Sequence, residues 1–433
     1  MSLERVAAAA RAASIPLAAA RTGDKNKALA QVAEALQGNA DQVAAANQQD
    51  LQEAQQNNLA GPLLKRLRFD KAKIAEVCQG IQSLIQLQDP VGRTLYAMEL
   101  DKGLELYKVT CPIGVVGIIF ESRPDALVQI STLCLKSGNT VLLKGGSEAS
   151  RTNRILTGVI AEASVRAGMP DGWIQLLETR QQVTDMLSLD RQIDLIIPRG
   201  SSAFVRHIVE HTRIPVLGHA DGICHVYVDR GADLDMAVRI VVDSKCQYVA
   251  VCNAAETLLV DEAVAAQFLP KVKVDLDQKG VEIRGCDRTC SVIACKPATE
   301  EDWSTEYLDT ILSIKVVNGV EEAILHINTY GSRHTDAIVT EDRVTAGRFL
   351  ERVDSADVFW NCSTRFSDGF RYGLGAEVGV STNKIHARGP VGLEGLVIYK
   401  WRLLGGGHVV ADYSGPSARA FTHVQVSKEY PLR

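Results

Sequence analysis

Cys252 is the thiol in this chain best placed by its neighbours for covalent chemistry. It lies in Val249-Ala250-Val251-Cys252-Asn253-Ala254-Ala255-Glu256-Thr257-Leu258-Leu259-Val260, where a loop runs into an apolar strand, with Lys245 just upstream. A nucleophilic cysteine must ionise and be accessible, and a loop with free backbone N–H groups and a nearby cation serves both needs. By residue type alone, Cys246 and Cys362 compete with it.

Two further stretches suit anions. Lys144-Gly145-Gly146-Ser147 follows a strand-like run and precedes a helical one. Its glycines permit close backbone approach, the helix start offers free N–H groups, and the lysine adds a point charge for a ribose or phosphate oxygen. Pro198-Arg199-Gly200-Ser201-Ser202 repeats the arrangement at the end of a second strand. Neither is a Walker motif or a dinucleotide fingerprint, and each alone reads equally well as a tight turn. Two of them on one sheet make a dinucleotide site at the carboxyl ends of the strands a stronger expectation.

Other spacings carry less. His207-Ile208-Val209-Glu210-His211 formally matches an inverted zinc-protease pattern,. Arg206 and Arg213 flank it and Ile214-Pro215 ends the segment, so a solvated helix face is the better reading and no metal is expected. Cys286, Cys290 and Cys295 lack the two-residue knuckle spacing of zinc sites. Ser291-Val292-Ile293-Ala294 between them reads as strand, which makes these buried structural thiols. Gly373, Gly375 and Gly379 have the wrong third spacing for a dinucleotide fingerprint and read as a loop close to substrate.

The elements around these residues follow from pattern. At 433 residues, 46% hydrophobic and 23% charged, the chain is an ordinary globular protein, of about three domains by length. The net charge of −5 excludes a broad basic surface for nucleic acid,. Ten cysteines without regular spacing suggest reduced thiols, and the charged, alanine-rich start has no apolar signal core, so a cytoplasmic location is expected. The longest apolar run, Ile113 to Phe120, is far too short for a membrane span,.

Residues 3 to 88 read as helices, with Lys71 to Leu87 amphipathic through Ile74, Val77, Ile81, Leu84 and Ile85,. Thr94 to Leu100 and Leu104 to Val109 read as a hairpin about Asp101-Lys102-Gly103,. Such a ribbon is marginal alone and suggests pairing with another subunit. Strands at Val115–Phe120, Thr140–Leu143, Ile174–Leu177 and Leu195–Ile197 then alternate with helices, which implies a parallel, doubly wound α/β sheet,. A second unit begins near Gly222 with the strand Cys224–Val228.

Longer blocks are more specific than any of these motifs. Cys111-Pro112-Ile113-Gly114-Val115-Val116-Gly117-Ile118-Ile119-Phe120-Glu121-Ser122-Arg123-Pro124-Asp125 is one, and Gly218-His219-Ala220-Asp221-Gly222-Ile223-Cys224-His225 is another. Asn361-Cys362-Ser363-Thr364-Arg365-Phe366-Ser367-Asp368-Gly369 and His386-Ala387-Arg388-Gly389-Pro390-Val391-Gly392-Leu393-Glu394-Gly395 complete the set. With the Lys144, Arg199 and Cys252 stretches, the chain over nearly its whole length resembles the γ-glutamyl phosphate reductases of the aldehyde dehydrogenase superfamily.

The resemblance implies a Rossmann-like cofactor domain (residues 1–92 and 111–221), an α/β catalytic domain (222–395) and an oligomerisation hairpin with tail (93–110 and 396–433). It implies a homo-oligomer that uses NADPH to reduce γ-glutamyl 5-phosphate to glutamate 5-semialdehyde, the second step of proline biosynthesis. It makes Cys252 the nucleophile and places Ser122 where relatives carry an oxyanion asparagine. Lys144 and Ser147 match adenosine-ribose positions with Gly146 as a further cofactor-binding residue, Gly200 the pyrophosphate loop and Glu306 the nicotinamide-ribose carboxylate. Arg123, Arg365 and Asn361 are substrate candidates. Ser147 stands where NAD enzymes keep a carboxylate, which favours the 2′-phosphate of NADP, with Glu148 beside it as a counterweight. Gly218-His219 occupies the stretch of the general-base glutamate in oxidising relatives, so a thioester would be spared hydrolysis. With no kinase segment in the sequence, the acyl phosphate must come from a separate glutamate 5-kinase, a possible partner. A coenzyme A-acylating aldehyde dehydrogenase is the alternative within the superfamily.

Overall fold

The computed structural model describes residues 2–432 apart from Ala60, Ser122, Ser201, His219 and Ala220. Five helices open the chain: α1 (Leu3–Ala18), α2 (Thr22–Gly38), α3 (Ala40–Gln56), α4 (Gly61–Leu67) and α5 (Lys71–Gln86). The α5 start is fixed by Asp70, whose side chain accepts the Lys73 N–H, an N-cap that satisfies one of the helix's orphan donors. Gly23 and Asp24 lie in the first turn of α2, which runs from Thr22 through both residues.

The hairpin forms as β1 (Thr94–Asp101) and β2 (Leu104–Pro112). Gly103, at a φ of 76°, allows the turn between them,. Alternation then begins with β3 (Val115–Ile119), α6 (Pro124–Lys136), β4 (Thr140–Lys144), α7 (Ser150–Arg166), β5 (Ile174–Leu176), α8 (Arg180–Met186), β6 (Leu195–Pro198) and α9 (Ser202–His211). The first sheet is parallel, in the order β5-β4-β3-β6. Every residue of β3, β4 and β6 is buried, because helices cover both faces, and this is why these strands read as continuous apolar runs.

The second run consists of β7 (Cys224–Val228), α10 (Leu234–Cys246), β8 (Ala255–Asp261), α11 (Glu262–Gln278), β9 (Glu282–Gly285), α12 (Asp287–Val292), β10 (Lys296–Pro297), β11 (Ile311–Val317), α13 (Val320–Tyr330), β12 (Thr335–Val339), α14 (Arg343–Arg352) and β13 (Asp357–Trp360). They build a parallel sheet in the order β10-β9-β11-β8-β7-β12-β13. The stretch read as strand between Cys290 and Cys295 is instead the end of α12, with Cys286 as its extended N-cap. Ile293, at φ −132° and ψ 148°, is where extended backbone resumes, and because this short helix lies near the sheet's edge, Cys286, Cys290 and Cys295 are half-buried, not buried as expected. Apolar content alone could not separate a six-residue helix from a strand.

Two short strands, β14 (Gly379–Ser381) and β15 (Gly389–Val391), pair antiparallel before β16 (Val397–Leu404) and β17 (Val424–Gln425). The tail strands close on the hairpin in the order β16-β2-β1-β17. One apolar core joins the N-terminal helices to the first sheet, and a second lies between β7, β8, β11 and helices α10 and α11. Among the described residues no helix is long and apolar enough to cross a membrane.

Candidate active site

The segment between α10 and β8, residues 247–254, carries Cys252 and is clasped by the 3-10 turn that follows β13. The Asn253 side chain donates to the Ser367 carbonyl at 2.7 Å, and the Thr364 hydroxyl donates to the Asn253 carbonyl at 2.7 Å. Arg365 Nε donates to Gln247 Oε1 at 3.0 Å. Beneath the loop, the Cys224 thiol donates to the Cys252 carbonyl at 3.2 Å. Gly222 packs against the same backbone so closely that a Cβ would overlap the Cys252 carbonyl and Cα. The Cys252 backbone is therefore held from two sides while the residue itself stays half-buried.

Charge converges on this thiol from both halves of the chain. Arg365, buried, loses affinity for its proton through burial and the nearby Arg371, while the charges of Cys252, Asp368 and Asp243 act the other way. Arg199, at the end of β6, is likewise lowered by burial and by Arg123, with Glu377, Cys252 and Asp125 opposing. A guanidinium short of solvent and crowded by another cation gains most from an anion brought to it. Arg123 is held by Asp125 at 2.9 Å, so part of its charge is already committed. Burial raises the Glu377 carboxyl despite Arg199 and Arg123, and its Oε2 accepts the Gly369 N–H at 2.8 Å.

The competing thiols are less suited. Burial pushes both Cys246 and Cys362 above the ordinary thiol value, which disfavours the thiolate.

The two anion-type loops sit at the carboxyl ends of β4 and β6, on either side of β3 in one sheet. Lys144 is buried and its ammonium donates to the Gly145 carbonyl. Ser147 is exposed and opens a 3-10 turn, while the Glu148 carboxylate folds back over Gly146, where a Cβ would collide with it. Gly200 is exposed at the other loop; a Cβ there would lie 3.1 Å from the Phe204 ring and 3.2 Å from Glu121 Oε1. Two glycine loops beside a lysine, at the carboxyl ends of parallel strands, fit the diphosphate and ribose of a dinucleotide, with the Glu148 carboxylate over Gly146 opposing an anion at that point,. Glu306 is half-buried on the segment before β11, and its charge is felt by Glu256 at the start of β8.

The other sequence candidates separate. Both ends of the Asn361 amide are taken by Thr340, accepting from its N–H at 2.9 Å and donating to its carbonyl at 2.9 Å. Asn361 thus joins the ends of β12 and β13, at a φ of 56°. Ser122, Ser201 and His219 lie outside the described residues. The His207 and His211 rings stack at 4.1 Å, and His211 Nδ1 bonds the His207 carbonyl at 2.7 Å. Among the described residues no further ligand-type side chain completes a metal-holding group there. Arg199, Glu377, Asn253 and Gln247 were not singled out from sequence. The signals available were the position of Arg199 at a strand's carboxyl end and the place of Asn253 beside Cys252.

Residues 1–283 match the aldehyde dehydrogenase family model. The chain is 64% identical over 432 residues to the γ-glutamyl phosphate reductase of Pelotomaculum thermopropionicum, covering 100% of this chain and 99% of the relative. It is 63% identical over 432 residues to that of Acetivibrio thermocellus, covering 100% of both. The crystal structure of the Thermotoga maritima γ-glutamyl phosphate reductase superposes with a TM-score of 0.92 at 40% identity, over 94% of this chain and 100% of that one.

Proposed function

This chain belongs to the aldehyde dehydrogenase family, and from that membership we propose that it reduces γ-glutamyl 5-phosphate to glutamate 5-semialdehyde and phosphate in proline biosynthesis. The observation that carries the reading is a half-buried cysteine whose backbone is clamped by the Cys224 thiol and Gly222, in a loop that Arg365 ties down through Gln247.

Cys252, as thiolate, attacks the γ-acyl carbon; the carbon–oxygen bond to phosphate breaks and phosphate leaves, giving a thioester. Arg199 and Arg365 neutralise the phosphate and the substrate carboxylate, with Arg123 as the third candidate. The Cys252 N–H supports the developing oxyanion, and Ser122 is proposed as the second donor. NADPH, when bound, supplies the hydride that takes the thioester to a thiohemiacetal. Lys144, Gly146, Ser147 and Gly200 would hold its adenosine and diphosphate, and Glu306 its nicotinamide ribose. Collapse of the thiohemiacetal returns the Cys252 thiolate and frees the aldehyde.

Residues 1–92 and 111–221 serve as the cofactor domain, 222–395 as the catalytic domain, and 93–110 with 396–433 as the assembly element of a homo-oligomer. A separate glutamate 5-kinase supplies the acyl phosphate, in the cytoplasm.

The test runs the reaction backwards: glutamate 5-semialdehyde, inorganic phosphate and NADP, followed by NADPH absorbance. Phosphate-dependent turnover that Cys252→Ser abolishes supports the reading. Turnover only with coenzyme A as acceptor, or retained in Cys252→Ser, overturns it.

A further inference from the structure

A buried ion pair closes the base of the Cys252 loop, and none of the steps above uses it. Lys245, in the last turn of α10, and Glu256, the second residue of β8, are both fully buried, with Nζ 2.5 Å from Oε2. They stand immediately before and just after the loop that carries the nucleophile. Burial drives the Glu256 carboxyl upward, against the pull of Lys245. A buried pair of this kind is a poor device for stability, since the cost of desolvating two ions cancels much of their attraction. Its geometry points elsewhere.

The second oxygen of Glu256, Oε1, accepts the Leu308 N–H at 3.2 Å. Leu308 has a φ of 53°, a left-handed conformation that costs a leucine energy and persists only where its surroundings impose it,. It lies two residues beyond Glu306, and the intervening Tyr307 ring sits 5.9 Å from Lys245 Nζ. Tyr307 is itself fixed, its hydroxyl bonded to Asp302 Oδ1 at 2.6 Å and Ser313 Oγ at 2.7 Å. One carboxylate is thus fastened on one side to the foot of the nucleophile loop and on the other to the segment bearing Glu306. A carboxylate can do this because its two oxygens accept from two separate donors.

We propose that Glu256, paired with Lys245, is a positioning residue that locks the Cys252 loop to the Glu306 segment, so that the thiol and the cofactor's ribose contact keep one spacing. The inference rests on the roles given above to Cys252 and Glu306. Cofactor binding at Glu306 is then felt at the thiol.

The measurement is the rate of Cys252 alkylation by iodoacetamide with and without NADP, in the wild type, Glu256→Gln and Lys245→Met/Glu256→Gln. The double variant removes both charges at similar volume and so guards against an unpaired buried ion that would unfold the single one. NADP changes the alkylation rate in the wild type, and both variants lose that response. The double variant recovers the wild-type melting temperature but keeps an elevated KM for NADPH and a kcat lowered about tenfold to a hundredfold, the scale on which a misplaced reacting group loses rate. KM for the acyl substrate stays unchanged. A double variant with both its stability and its NADP-sensitive alkylation restored would overturn the positioning role. Loss of the functional reading looks different: the wild type itself would then show no phosphate-dependent NADP reduction.

Discussion

Arg365 and Gln247 are 118 residues apart in sequence and joined by a hydrogen bond of 3.0 Å from Nε to Oε1. Through it, the turn after β13 is tied to the segment that carries Cys252, and one donor of the guanidinium fork is spent on position. Among the described residues no other side chain bonds this guanidinium, and we propose that its terminal nitrogens meet an anion at the thiol. Arg371 braces the arrangement by donating to the Arg365 carbonyl at 2.8 Å.

Arg365→Ala should therefore damage both binding and alignment. We expect kcat/KM for the acyl phosphate to fall about a hundredfold, near 3 kcal/mol of lost charge-assisted hydrogen bonding. Arg365→Lys should recover only part, because an ammonium cannot reproduce the planar fork. Steady-state kinetics in the forward direction, with the acyl phosphate and NADPH, read this. An unchanged kcat/KM in the alanine variant would remove Arg365 from the substrate site.

Gly222 is a second lever on Cys252. A methyl group there overlaps the Cys252 carbonyl and Cα, so Gly222→Ala must push the loop aside. Overpacking of this sort costs about 1–3 kcal/mol, and the displaced thiol should lower kcat more than KM. Thermal melting together with kcat measures the two effects separately.

The buried cluster beside β11 and β12 gives a pH prediction. Burial, helped by His225 and Lys315, lowers His326 to about 2; its Nδ1 lies 3.2 Å from Lys315 Nζ, and Trp303 and Tyr330 pack on its ring. The folded value lies below the unfolded one of about 6.5, so the unfolded state takes up the proton first. Stability is complete above about pH 6.5 and declines as the pH falls from there toward 2, by about 2 kcal/mol at pH 5 from this group. His326→Gln should flatten that decline in melting temperature between pH 7 and pH 5. An equally steep decline in the variant would assign it to other groups.

Assembly is testable at the hairpin sheet. β16 is its edge strand, with Tyr399, Trp401 and Leu403 each at least 50% exposed. A long apolar edge with unpaired backbone groups is a template for another strand, and we expect a second copy of this chain to cover it. Trp401→Glu should shift the mass measured by light scattering toward the monomer. An unchanged mass would place the interface elsewhere.

Much of the fold was legible in the residues because it is written locally. Apolar runs such as Val115–Ile119 and the periodicity of Lys71–Gln86 specify their elements without reference to distant partners. The α12 helix escaped, since six residues carry too little period to distinguish helix from strand,.

The sequence by itself determined the alternating α/β order, the thiol entering an apolar strand, the two glycine loops after strands, and the blocks that mark the family. Only the tertiary structure decided that Arg199 approaches the thiol from the first sheet, that Asn361 spends its amide on Thr340, and that Lys245 and Glu256 meet beneath the loop. Secondary structure follows from neighbours three or four positions away, whereas these contacts depend on which faces pack together, and no short-range pattern encodes that.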